Sequence, residues 1–222
     1  MTDHASRVIL HCNTTSEANP LDGHRGGWIE IIAGGMFSGK SEELIRRLRR
    51  AVIARQRVQV FKPALDDRFG DGEVVSRDER RLKAISVGTS NELLARVEIG
   101  VQVVGIDEVQ FFDAGIVEVC MQLADAGLRV IAAGLDQDYM RRPFGPMPAL
   151  LAVAEEVSKM HAVCVRCRGG AHYSQRVSGG DAQVEVGDSS YEARCRGCYE
   201  AYRAQPAEEP EVQLTIPQPV GG

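Results

Sequence analysis

Three groups of residues in this chain have the types and the spacing to do chemistry. The first is Gly34-Gly35-Met36-Phe37-Ser38-Gly39-Lys40-Ser41, a match to G-x-x-x-x-G-K-[ST]. Glycines let a backbone wrap a polyphosphate with its N–H groups turned inward. A helix that starts there turns its positive end toward the same anion. Lys40 can reach the outer phosphates, and the Ser41 hydroxyl can ligate Mg²⁺. The second group is Asp107-Glu108, directly after the apolar run Val101-Gln102-Val103-Val104-Gly105-Ile106. Phosphoryl-transfer sites place an Asp at such a strand end to position Mg²⁺. Glu108 beside it could take a proton from a hydroxyl nucleophile or from water. The third group is Cys164, Cys167, Cys195 and Cys198, two C-x-x-C pairs with 27 residues between them. Four thiolates so spaced suit a closed, structural, tetrahedral Zn²⁺ site. Cys12 lies in a polar tail and reads as idle, whereas Cys120 lies on an apolar helical stripe and reads as core. His161 and His172 lie near the cysteines; with four thiolates on the metal, they read as structural.

The elements that must hold these groups follow from the hydrophobic pattern. Trp28 to Ile32, Val58 to Phe61, Val101 to Ile106 and Leu128 to Ala133 read as buried strands. Helical periodicity separates them. Leu44, Leu48 and Val52 form one stripe, with Arg46, Arg47, Arg49 and Arg50 read as a solvated face. Phe112, Ile116, Val119, Cys120 and Leu123 trace another, and Pro148 to Lys159 reads as a further helix. Strands alternating with helices imply a parallel sheet covered on both faces. After about residue 160 the pattern changes to short strand candidates, His161 to Cys164 and Gln183 to Val186, among glycines and serines. That segment is too small for a core of its own, which suits a metal staple. The expected division is 1–25 as a flexible extension, 26–159 as the nucleotide-binding domain, 160–203 as the zinc module and 204–222 as a disordered tail. The formal charge of −5 over 222 residues lacks the basic footprint of a nucleic-acid binder. No apolar run approaches the roughly 20 residues of a membrane helix, and the N-terminus lacks a signal-peptide layout, so a cytoplasmic location is expected.

The three groups in this order resemble type II thymidine kinases. The resemblance rests on Gly35 to Leu44, on Phe61-Lys62-Pro63 followed by Asp66-Asp67-Arg68-Phe69, and on Gly105 to Phe112. Gly134-Leu135-Asp136 running to Arg142-Pro143-Phe144-Gly145, and Ala162 to Cys167, extend it, so that it covers roughly 27–202. It implies an α/β fold, a P-loop NTPase-like parallel sheet with helices on both faces, plus a small zinc-stapled lasso or ribbon domain. It implies transfer of the ATP γ-phosphate to the 5′-hydroxyl of thymidine or deoxyuridine. By similarity Glu108 matches the general base. Gly34, Gly35, Met36, Phe37, Ser38, Gly39, Lys40, Ser41, Asp66, Arg68, Asp107 and Gln110 match the ATP and Mg²⁺ side. Met36, Phe111, Leu135, Tyr139 and Phe144 match the thymine pocket. Val184, Glu185, Val186 and Gly187, with Tyr191, match the loop that closes over the base. A homotetramer inhibited by thymidine triphosphate is expected on the same ground, with no nucleic-acid or membrane partner.

Three positions depart from the family pattern: Gly35 where Pro is frequent, Val109 where a small residue is usual, and Arg77 where His is common. The competing reading is a P-loop ATPase whose zinc ribbon binds nucleic acid or protein. Asp181, Glu185, Asp188 and Glu192, which offset Arg176 and Arg194 between and beside the cysteine pairs, disfavour it.

Overall fold

The structure is a computed structural model, and it describes residues 26–64, 73–75, 81–178 and 190–200. Six strands form one parallel sheet: β1 (Trp28–Gly34), β2 (Val58–Pro63), β5 (Ile85–Val87), β6 (Val103–Ile106), β7 (Arg129–Gly134) and β8 (Glu156–Met160). Their order is β5-β2-β6-β7-β1-β8. Two short strands, β3 (Glu73–Val75) and β4 (Arg81–Lys83), pair antiparallel as a separate two-stranded sheet. The central strands β1, β6 and β7 are buried along their whole length, which is why they read as continuous apolar runs.

One face of the sheet is covered by α1 (Lys40–Ile53), whose Leu44, Ile45, Leu48 and Ala51 pack on Ile32, Val60, Val103 and Ile131. Val52, placed on this stripe by its spacing, is half exposed instead. Successive i, i+4 steps drift by about 40° around a helix of 3.6 residues per turn, so the third member leaves the face and Ala51 takes its place. The other face is covered by α2 (Ser90–Arg96), α3 (Ile116–Asp125) and α4 (Met147–Val153). On α3 the buried residues include Ile116, Val119, Cys120 and Leu123, as the periodicity predicts, and Phe112 joins the same core from the loop ahead of it.

The helix expected over Pro148 to Lys159 stops at Val153, and Glu156–Met160 is β8. The segment holds good helix formers, but β1 offers it an open edge. Glu30 to Gly34 pair in register with Glu156 to Met160, and the Ile29 N–H donates to the Glu155 carboxylate at 2.7 Å. That partner lies over a hundred residues away in sequence, beyond any local propensity.

Beyond the sheet, β9 (Ala162–Val163) pairs with β10 (Gly170–Ala171), and β11 (Tyr173–Arg176) pairs with β12 (Tyr191–Arg194). Their small core of Ala162, Cys164, Ala171 and Ala193 also receives Phe37 from the glycine loop. Among the described residues no helix is long and apolar enough to cross a membrane.

Candidate active site

The glycine loop runs from the end of β1 into α1, with Gly39 at φ 82° immediately before the first helical residue, Lys40. The Ser38 hydroxyl and the Lys40 ammonium both donate to the Gly35 carbonyl at 2.8 Å, folding the loop over the helix start. Phe37 takes a left-handed backbone at φ 65°. Strained positions of this kind cluster at ligand-binding loops.

Asp107 and Glu108 follow β6, next to β2 and β7 in the sheet, so the strand end faces the loop. The Ser41 hydroxyl lies 3.4 Å from Asp107 Oδ1, where it donates. Two oxygens so close match neighbouring ligands of an octahedral Mg²⁺, which lie about 3 Å apart when bonds are about 2.1 Å. Glu108 is half-buried with φ 48°, and its N–H donates to Asp107 Oδ1 at 3.0 Å. The Gln110 amide donates to Glu108 Oε2 at 2.5 Å. Val109, a departure from the resembled pattern, is fully buried in the core beside Gly134.

The residues expected to hold a base come together in part. Phe111 and Phe144 meet edge to face at 5.6 Å. Met36, Phe111 and Leu135 are half-buried, while Tyr139, Phe144 and Tyr191 are buried. Two residues absent from the sequence-based set link them. Ser174 on β11 accepts the Met36 N–H at 2.9 Å. Arg176, only 1% exposed, donates to the Tyr191 hydroxyl at 2.7 Å and stacks 3.9 Å above the Tyr139 ring. Both lie on β11, a four-residue strand of mostly polar residues that is buried at every position and too short to show a period. Asp66, Arg68, Arg77 and Val184 to Gly187 lie outside the described residues.

The four cysteine sulfurs lie within 4.8 Å of one another. A tetrahedral zinc with bonds of about 2.3 Å needs sulfurs about 3.8 Å apart, so the set fits that ion. The Cys167 backbone N–H, with those of Cys195 and Arg166, holds the Cys164 thiol down at about 6. That favours the thiolate a metal requires. The His161 and His172 rings lie 5.5 Å apart, tilted by 43° to one another, and both residues are exposed.

A parallel sheet, a glycine loop capping a helix, an acidic pair at the neighbouring strand end and a cysteine-stapled appendage define a P-loop phosphotransferase with a second, metal-competent module. The family model described as thymidine kinase matches residues 27–199. A thymidine kinase of Rhodothermus sp. (strain ITI 518) is 51% identical over 197 residues, 87% of this chain and 92% of that protein. One of Porphyromonas gingivalis (strain ATCC 33277) is 52% identical over 201 residues, 90% of this chain and 98% of that protein. One of Bdellovibrio bacteriovorus is 52% identical over 174 residues, 78% and 85% of the two chains. Domain III of the Thermotoga maritima replication initiation protein DnaA matches with a TM-score of 0.39 and 20% identity over 60% of this chain and 54% of that one, too distant to carry an argument. The chain belongs to the thymidine kinase family, whose members are ATP-dependent kinases.

Proposed function

We propose that this chain transfers the γ-phosphate of ATP to the 5′-hydroxyl of thymidine or deoxyuridine. The observation that carries the reading is the meeting of Ser41, Asp107 and Glu108 at the mouth of the glycine loop. Loop N–H groups and Lys40 would hold the phosphates. Ser41 and Asp107 are the residues that would hold Mg²⁺, whose chemistry is to neutralise charge on the transferring phosphate. Glu108 accepts the 5′-hydroxyl proton as that oxygen attacks the γ-phosphorus; the bond from phosphorus to the bridging oxygen breaks, and ADP leaves. Met36, Phe111, Leu135, Tyr139 and Phe144 form the apolar pocket for the base, with Val184 to Gly187 and Tyr191 closing it. Asp66 and Arg68 complete the phosphate side. Cys164, Cys167, Cys195 and Cys198 hold a structural zinc. The division at about residue 160, a homotetramer, feedback inhibition by thymidine triphosphate and a cytoplasmic location belong to the same reading.

Replacing Glu108 tests the mechanism. Glu108→Gln keeps the shape and loses the basicity, so kcat falls by about 10²–10⁴-fold, the usual range for a general base, with ATP binding nearly intact. Initial rates with each substrate varied in turn measure both. A variant with near-normal kcat on thymidine removes Glu108 from the role.

A further inference from the structure

The geometry points to Gln110 as the residue that fixes the Glu108 carboxylate and ties it to the nucleoside side of the site, in place of the phosphate-side contact that family resemblance implies. This rests on the reading of Glu108 as the base. Gln110 is 2% exposed and sits in the 3-10 turn Val109–Phe111. Its Oε1 accepts the Leu135 N–H at 3.0 Å, and its Nε2 donates to Glu108 Oε2 at 2.5 Å. The orientation of the amide follows from its partners. A backbone N–H can only donate and a carboxylate can only accept, so Oε1 must face Leu135 and Nε2 must face Glu108.

The amide is closely packed. A β-carbon at Gly134, at the end of β7, would lie 2.7 Å from Oε1, so only a glycine there leaves space for the amide. Gly145, at φ 48° in the loop before α4, packs on the main-chain carbonyl of Gln110, where a β-carbon would lie 2.4 Å away, and so seats the turn that carries the side chain. Glu108 is meanwhile held at its own N–H by Asp107. The Glu108 carboxylate is thereby joined through the Gln110 amide to the main chain of Leu135, an expected wall of the base pocket. A general base gains from alignment as much as from basicity, and an ångström of misplacement costs up to about 10²-fold in rate. Gln110 is a positioning residue in this account, with no contact to the reacting atoms.

A double-mutant cycle separates this role from a structural or phosphate-binding one. kcat and both KM values are measured for the parent, Glu108→Gln, Gln110→Leu and the pair, with thermal melting to confirm folding. The expected result is a kcat loss of about 10–10²-fold for Gln110→Leu, with KM for ATP within about 3-fold of the parent. In the Glu108→Gln background the same replacement should change kcat by less than about 3-fold, because the carboxylate it serves is already gone. Losses that multiply, or a raised KM for ATP with kcat kept, overturn the positioning role. If Glu108→Gln alone stays near-normal, the base reading itself has failed; if it is slow and the losses multiply, only the role of Gln110 has. Should Gln110→Leu not fold, the unbranched Gln110→Met keeps the length of the side chain, adds no charge beside Glu108, and runs the same cycle.

Discussion

Glu30 is a carboxylate in the middle of a fully buried strand, and three side chains explain why it can be there. Trp28 Nε1 and Arg129 Nε donate to its Oε1 at 2.8 and 2.5 Å, and Arg47 donates to its Oε2 at 2.7 Å. Arg47 also donates to Glu43 at 2.8 Å and to Ser158 at 2.7 Å. One guanidinium thus joins α1, β1 and the edge strand β8. The sequence reading places Arg47 on a solvated helix face, because its partners lie 17 and 111 residues away. Asp107, Glu108, Lys40 and Ser41 were legible because their chemistry is written in short motifs; Gln110, Ser174 and Arg176 act through contacts that only the fold makes. Burial alone would raise the Glu30 pKa, but Arg129 and Arg47, with Trp28, outweigh it and hold it below the usual 4.5. The Arg46 guanidinium, with that of Arg47, holds Glu43 down at about 2. Both carboxyls are depressed, so their contribution to stability is whole above about pH 4.5 and is lost as pH falls below that, for Glu43 through about 2. The thermal midpoint should hold steady from pH 7 to about 5 and fall steeply below that. Glu30→Gln should destabilise by about 3–5 kcal/mol at neutral pH, since two cations lose a buried partner. Chemical unfolding that gave equal stabilities for variant and parent would contradict this.

At the scale of elements, local pattern revealed those whose stabilising contacts are local or continuous. The central strands and the α3 face are of that kind. β8 is not, since its register is dictated by β1. The α2 helix shows in the hydrophobic pattern only weakly, although Thr89-Ser90-Asn91-Glu92 is a capping sequence: Thr89 accepts the Glu92 N–H at 3.1 Å, and Glu92 accepts the Gly88 N–H at 2.7 Å. Two turns of helix carry too few apolar residues to show a period. The seating of α1 on the sheet depends on Gly105, where a β-carbon would lie 2.7 Å from Leu48 Cδ1. Leu48 is fully buried and has nowhere to swing. Gly105→Ala should therefore cost about 1–3 kcal/mol by overpacking. Pairing it with Leu48→Ala should cost less than the two single changes together, because the added methyl partly fills the cavity. Additive losses in denaturant titrations would mean that this contact does not set the helix position.

Across the whole molecule, the cysteine module and the glycine loop share a seam. Phe37 enters the module's core, Met36 is bonded to Ser174, and the Tyr199 hydroxyl donates to the Tyr139 carbonyl at 2.6 Å. The cysteine spacing announced a metal site, but nothing in the sequence showed that its hairpin would brace the phosphate loop. Purified protein should carry about one zinc per chain. Cys195→Ser should lower both the melting temperature and kcat, since metal-binding energy in so small a module is folding energy. Metal-free protein that is folded and fully active, by elemental analysis and rate assay, would contradict the staple. The central claim is that the loop, the acidic strand end and the apolar pocket serve one reaction, phosphorylation of a pyrimidine deoxynucleoside. The most direct measurement is ATP consumption by the purified chain with each deoxynucleoside in turn, with the product identified as the 5′-monophosphate. The account predicts turnover with thymidine and deoxyuridine and near-background rates with deoxyadenosine and deoxyguanosine. A site built to hydrogen-bond one base edge rejects bases that leave its polar groups unpaired. ATP turnover that needs no nucleoside, or efficient phosphorylation of a purine nucleoside, would contradict it.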